Sequence, residues 1–502
     1  MRASALLLEL DVPAHLRVVL AQDQAVGVVA AVLAGHVRRA RPRRRAQLHD
    51  RPDVGRLRHR APPLNMGIVF VYDTPDRDHV RLREEDMTEL VVLCGTEADG
   101  VERTITRMRE LDPGVVVLHH DLRDLGRGVV HRRLRDADRD ERTVLELAHG
   151  CVSCTIREDV LPTLAALSGT VDRVVLHLDP RLEPEPVCWA LGAVVFEPPG
   201  REACTATDLV DLRGVVAVLD PDSWLDDATG DATLPERGLS TLPDDERTVA
   251  QLAVGQAEFA DVLVLTRAVG PGGADRTAAV LDRLCPTAPR LLAGRADHRV
   301  FCDGLGPESR RGVPGGVHDP LLRGAPPLDA ASGVRTLLFS ARRPFHPDRL
   351  HEAIDSLLDG VVRARGRIWL ATRPDAVLWL ESAGGGMRIG HAGDWLAGAD
   401  EQAWTEAGDQ RRAMAALAWH PRWGDRAQDV VAICHDADPD EIDAALRAAL
   451  LTDAEIAAGE DAWSALPDPF GWAHDEPCAE SEPVGPAALD DPTVRSDREG
   501  DL

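Results

Sequence analysis

From Met87 onward, short β-branched runs alternate with stretches whose apolar residues recur at helical spacing, and this alternation constrains the fold more than any other feature of the chain. Residues 90–94 read as a buried strand, Val101, Ile105 and Met108 fall on one helical face, and 115–119 read as a second strand. Further strands are expected at 173–178, 193–197, 215–219 and 262–266, with helices such as 158–167 and 246–259 between them. Strands and helices in strict alternation satisfy their backbone groups as a mostly parallel sheet covered on both faces, so the fold class is α/β. This first domain is expected to span residues 87–295.

Beyond it, residues 296–334 are dominated by Gly, Pro and Arg and read as a linker. A second unit follows. Pro347 suits the first turn of a helix, and Leu350, Ile354, Leu357, Leu358 and Val361 make one apolar stripe. Strands are expected at 367–371, 377–381 and 430–434, then a helix carrying Ile442, Leu446 and Leu450. This gives a smaller α+β domain over 335–456, and residues 457–502, rich in Asp, Glu and Pro, read as an acidic tail.

Charge narrows the partners. The 57 basic residues are all arginine, so no lysine chemistry is available, and 84 acidic residues leave a net charge of −27. Broad electrostatic binding to nucleic acid or to an anionic membrane is excluded as a function class. Residues 1–65 break the pattern with 12 arginines against 5 acids. Residues 1–86 are therefore expected to be either a disordered extension or sequence upstream of a true start at Met87. The apolar run at 25–34 is too short to span a bilayer and lacks the flanks of a signal peptide. Nine cysteines with one close pair, Cys151 and Cys154, fit a reducing compartment, and a cytoplasmic protein is expected.

After the first strand, Gly95-Thr96-Glu97-Ala98-Asp99-Gly100-Val101-Glu102 keeps both glycines of the G-x-x-x-x-G-K-[ST] phosphate loop. Its lysine and hydroxyl positions hold Val101 and Glu102. Glu97, Asp99 and Glu102 are expected to crowd carboxylates where a triphosphate would lie, with Arg103 the nearest cation. Gly95, Gly100 and Arg103 are thus candidates for a degenerate phosphate site, and binding of GTP with Mg2+ is doubtful.

Glu146-Leu147-Ala148-His149-Gly150-Cys151-Val152-Ser153-Cys154-Thr155-Ile156-Arg157-Glu158-Asp159 resembles the ELxNGCxCCTLRxDL segment of the CobW family, P-loop GTPases that act as metal chaperones. Arg343-Pro344-Phe345-His346-Pro347-Asp348-Arg349-Leu350, Trp423-Gly424-Asp425-Arg426-Ala427-Gln428-Asp429 and Leu450-Leu451-Thr452-Asp453-Ala454-Glu455 resemble that family's C-terminal domain. Against the family's ETSGLADP the chain has His177-Leu178-Asp179-Pro180-Arg181-Leu182-Glu183-Pro184, and against its NKxD it has Thr266-Arg267-Ala268-Val269. The first loses a γ-phosphate-sensing glycine and the second a guanine-reading aspartate.

The metal motif is better kept. Cys151 and Cys154 can converge on one ion as thiolates and His149 is a candidate third ligand, leaving an open position suited to transfer. Zn2+ is the expected ion, with Co2+ or another soft divalent ion as alternatives. His119 and His120 end one strand and point to opposite faces, so they do not form a ligand pair. No catalytic residue is assigned. The resemblance implies a metal-binding chaperone with a client metalloprotein and a lost or weak GTPase; a nucleotide-dependent metal insertase and a non-catalytic interaction scaffold are the alternatives.

Overall fold

The computed structural model describes residues 87–470, apart from 148–149, 241–244, 269–272 and 298–302, together with Leu16–Val18 (β1) and Phe70–Tyr72 (β2), which pair antiparallel. The rest of residues 1–86 and all of 471–502 lie outside the described residues.

Thr88–Cys94 (β3), Val116–Asp121 (β4), Val129–Arg135 (β5), Asp140–Glu146 (β6), Arg173–His177 (β7), Val210–Leu219 (β8), Val262–Leu265 (β9) and Arg290–Leu292 (β10) form one sheet in the order β10-β9-β8-β3-β7-β4-β5-β6. The pairs from β10 to β4 are parallel, and β5 and β6 add antiparallel at the edge. β3 shows the physical cause of its own sequence. Leu90, Val92 and Cys94 enter one apolar layer with Leu118, Leu176 and Val215, whereas Val91 and Leu93 enter the opposite layer with Ile105, Met108 and Val216. A strand covered on both faces must be apolar at every position.

Two expectations for this sheet are corrected. The strand at 193–197 does not form, because Val187, Cys188, Ala190 and Leu191 are buried and carry helix Pro184–Ala193 through its start; beyond it only Phe196 bridges Cys204. The β5–β6 hairpin was not anticipated. β6 is the edge strand and exposes Asp140, Glu141, Arg142 and Glu146, while β5 carries half-buried His131, Arg132 and Arg133 and buried Arg135, so neither strand shows an apolar run.

Arg335–Ala341 (β11), Val361–Ile368 (β12), Ala376–Ala383 (β13), Gly386–Asp394 (β14) and Gln428–Cys434 (β15) form a second, wholly antiparallel sheet in the order β11-β15-β12-β13-β14. Helices Pro347–Ile354 and Pro439–Ala449 pack their Leu350, Ala353, Ile442 and Leu446 onto it. The helical stripe expected to reach Val361 stops at Ile354. Gly360, at φ 70°, reverses the chain, and its carbonyl accepts the N–H groups of His435, Asp436 and Ala437. Val361 therefore already opens β12, ahead of the strand expected at 367.

The described part of the stretch 296–334 packs against both units. Ala296 and Leu305 enter the first unit's core, while Arg365 donates to the Leu321 carbonyl and Arg367 to those of Val317 and Asp319. Packing also continues past 456: Trp463 is buried beside Trp369, Trp395 and Trp423, and Phe470 joins the second core.

Helix Val249–Phe259 contacts β8, β12 and β13 and is buried almost all round, as a helix apolar on every face should be. Thr248 and Gln251 close its N-terminus with a reciprocal capping box. Near its C-terminus Glu258, 8% exposed, meets Arg363 at 2.9 Å and also Arg365, so a single carboxylate joins the two units. Among the described residues no helix is long and apolar enough to cross a membrane.

Candidate functional site

The loop after β3 turns sharply beneath β8. A Cβ at Gly95 would stand 2.5 Å from the Val218 carbonyl oxygen, so that position requires glycine, and one at Gly100 would press on the Thr266 and Glu97 side chains. Helix Ala98–Leu111 then starts with its own side chain as anion: Glu97 is the N-cap, and its Oε2 accepts the Gly100 N–H at 2.6 Å. Arg103 leans back to 3.7 Å from the same carboxylate. Gly100 and Arg103 thus both meet the Glu97 carboxylate, and Gly95 stands at the start of the same loop.

The three carboxylates do not converge. Glu102 turns away into a two-point pair with Arg135 on β5 at 2.6 and 3.2 Å, and Asp99 is exposed. Val101, at the lysine position, is 2% exposed in the layer of Val91 and Leu93. At the base-reading segment Arg267 pairs with Asp220 and Asp222, and Val269 lies outside the described residues. The helix N-terminus that would cradle a phosphate is capped by the Glu97 carboxylate, and Val101 and Glu102 stand at the positions of the loop's cation and hydroxyl.

The segment after β7 is pinned on several sides. The Leu178 N–H donates to the Leu93 carbonyl, and Asp179, 2% exposed, accepts the N–H groups of Leu122 and Arg181 at 2.8 and 3.0 Å. Gln256 holds the Leu182 carbonyl at 3.0 Å. His177 stacks on His119 with ring centroids 4.2 Å apart, while His120 points the other way to Asp159 at 2.6 Å. The opposed orientation expected for His119 and His120 is thus observed, but the His119–His177 stack gave no sequence signal beyond both residues lying at the ends of neighbouring parallel strands.

Burial, with the nearby His119 and Arg135, pushes His177 down to about 3, and burial likewise lowers His119. Both rings are neutral at pH 7. A histidine in the unfolded chain takes its proton near pH 6.5, so between there and about pH 3 the unfolded state binds more protons and stability falls as the pH drops. Melting temperatures should decline from pH 6.5 to 4, and His177→Gln should flatten that decline. An unchanged slope in the variant would remove His177 from the acid response.

Cys151 is the N-cap of helix Val152–Thr155, and its Sγ accepts the Cys154 N–H at 3.2 Å. The two sulfurs are 2.9 Å apart and both half-buried, with Ser153 exposed between them. Tetrahedral zinc holds two thiolates roughly 3.7 Å apart, so a shift of under about an ångström would admit the ion. The hydrogen bond with Cys151, and then burial, push the Cys154 thiol up to about 11. A π-helical turn, Ile156–Val160, follows directly and turns Asp159 inward to His120 and Arg132. His149 lies outside the described residues, and among the described residues no group of three or more His, Cys, Asp or Glu converges on one point. Among the described residues the pair therefore offers two donors.

Two family models match the chain: the CobW/HypB/UreG nucleotide-binding domain over residues 105–286, and the cobalamin synthesis protein cobW C-terminal domain over 334–450. A Mycobacterium tuberculosis protein that bears the name zinc chaperone is 46% identical over 376 residues, covering 73% of this chain and 89% of that one. The chain belongs to the CobW family. A zinc-regulated GTPase metalloprotein activator of Dictyostelium discoideum is 27% identical over 352 residues, 67% of this chain and 72% of its own. The Zn(II)-bound YjiA GTPase from E. coli aligns at 15% identity with a TM-score of 0.32, covering 72% of this chain and 99% of that one. Within the CobW frame one boundary is informative: the nucleotide-domain match begins at Ile105, beyond the altered loop at 95–102.

Proposed function

We propose that this CobW-family chain is a metallochaperone that carries zinc on Cys151 and Cys154 and delivers it to a client metalloprotein, without a working GTPase. The observation that carries the reading is the sulfur pair: two thiols 2.9 Å apart at a helix start, in a chain 46% identical to a zinc chaperone. Neutral imidazole and thiolate are the ligand types that suit zinc, and His149, two positions before Cys151, supplies a third donor. An unfilled fourth position favours hand-over above permanent retention. The Glu97 cap, the buried Val101 and the Glu102–Arg135 pair support loss of GTP hydrolysis, since each takes a place that phosphate, lysine contact or magnesium would need.

Two measurements test this. Protein stripped of metal and reduced should withdraw one zinc per chain from a chromogenic chelator; an unchanged chelator spectrum would end the metal reading. Calorimetry with GTP and magnesium should give no heat of binding, corresponding to a Kd weaker than about 1 mM, and phosphate release should equal the buffer blank. Saturable heat, or release above the blank, would overturn the loss of nucleotide function.

A further inference from the structure

The second unit contains a cavity of about 380 Å³ that the function proposed above does not use. Arg342, Arg343, Arg422, Arg447, His420 and Asp453 line it, interspersed with apolar groups that include Trp423. The three segments that carry the C-terminal resemblance, 343–350, 423–429 and 450–455, all contribute to its lining. In a chain of net charge −27, four guanidinium groups against one carboxylate make a local reversal of sign.

Two of these arginines are already neutralised. Arg343 pairs with Asp453 at 2.6 Å, and Arg447 makes a two-point contact with Asp443 at 2.6 and 2.9 Å. The other two are not. Arg342 donates only to the Arg426 carbonyl at 3.3 Å, and Arg422 lies over the Trp423 ring at 4.2 Å; among the described residues neither has a carboxylate within ion-pair distance. A compact dianion such as phosphate is disfavoured, because the helix start that opens here is capped by Thr452 and Glu455 and carries Asp453. Two guanidiniums held by different partners, one on the Arg426 carbonyl and one on the Trp423 ring, instead match carboxylates spaced along an extended peptide.

The chain supplies such a peptide itself. Residues 471–502 carry nine Asp or Glu against two Arg, with four of the acids within 475–482. The packed chain ends close by: Phe470 meets His351 on helix Pro347–Ile354, and Arg349 of that helix is bonded to Glu455, in the same short helix as Asp453. At about 3.3 Å per extended residue, a few residues suffice to reach the cavity. We propose that this cavity is a docking site for a carboxylate-rich peptide, read by Arg342 and Arg422, and that residues 474–482 of the same chain are its occupant.

The test uses full-length protein and a fluorescein-labelled synthetic peptide of residues 474–482, with serine in place of Cys478, followed by anisotropy. A full-length variant with Asp475→Asn, Glu476→Gln, Glu480→Gln and Glu482→Gln should bind the added peptide at least about tenfold tighter than wild type, since its own segment no longer competes. Adding Arg342→Glu and Arg422→Glu should abolish that binding, and high salt should weaken it. A circular-dichroism melt keeps the charge-reversed protein honest as a folded control. Equal affinity for wild type and neutralised protein would overturn the assignment to this chain's own segment. Absence of binding, indifference to the arginine reversals, or displacement by inorganic phosphate would overturn the peptide site altogether.

Discussion

Replacing Cys151 and Cys154 together by serine should abolish competitive zinc uptake, an expected loss of at least about 100-fold in affinity, or roughly 3 kcal/mol. Serine is nearly isosteric but its hydroxyl stays protonated at neutral pH, so the soft anionic donors vanish while the helix cap is kept. The pH dependence gives an independent handle. Because Cys154 is held protonated up to about 11, zinc must displace that proton, and apparent affinity should rise about tenfold per pH unit for it between pH 6 and 9. A pH-independent affinity, or full zinc binding in the double variant, would place the ion elsewhere.

The second large effect concerns stability. Glu258→Ala should cost about 3 kcal/mol, because it leaves the Arg365 guanidinium buried without a counter-ion and Arg363 with Glu381 alone, at 3.2 Å. Burial acts to raise the Glu258 carboxyl, but Arg363, Arg365 and Arg310 outweigh it and hold it below the usual range. Its stabilisation is therefore present above the unfolded glutamate value near 4.5 and is lost as pH falls through the folded value. Chemical denaturation at pH 7 reads the loss, and replacing all three charges by apolar residues of similar volume should recover most of it. A cost below about 1 kcal/mol for Glu258→Ala would show that the other contacts between the units, such as Gly385 N–H to the Gly230 carbonyl and Arg276 with Asp436, hold them without this carboxylate.

Much of this was legible in the residues. The continuous apolar runs of β3, β7 and β9 announce strands buried on both faces, since only such a strand excludes polar residues from successive positions. The phosphate-loop frame was visible too, as were the two sulfurs, because both depend on near neighbours in sequence. Edge elements were not legible: β5, β6 and β14 carry charged or small residues on their wet faces, and period-two patterns fade there. The strand at 193–197 was misread because a short apolar run serves a helix end as well as a strand.

The sequence alone determined that no lysine or hydroxyl follows the second glycine of the phosphate loop and that two thiols stand three residues apart, and its alternation of strands and helices implied a mostly parallel sheet, since all three depend on composition and local spacing. Tertiary structure alone decided where the charges go. Glu97 closes on its own helix, Glu102 leaves for Arg135, His177 is neutralised beneath His119, and Glu258 becomes a buried hub between units. A charge's energy depends on its surrounding dielectric and on partners far away along the chain, and the chain must fold before either exists.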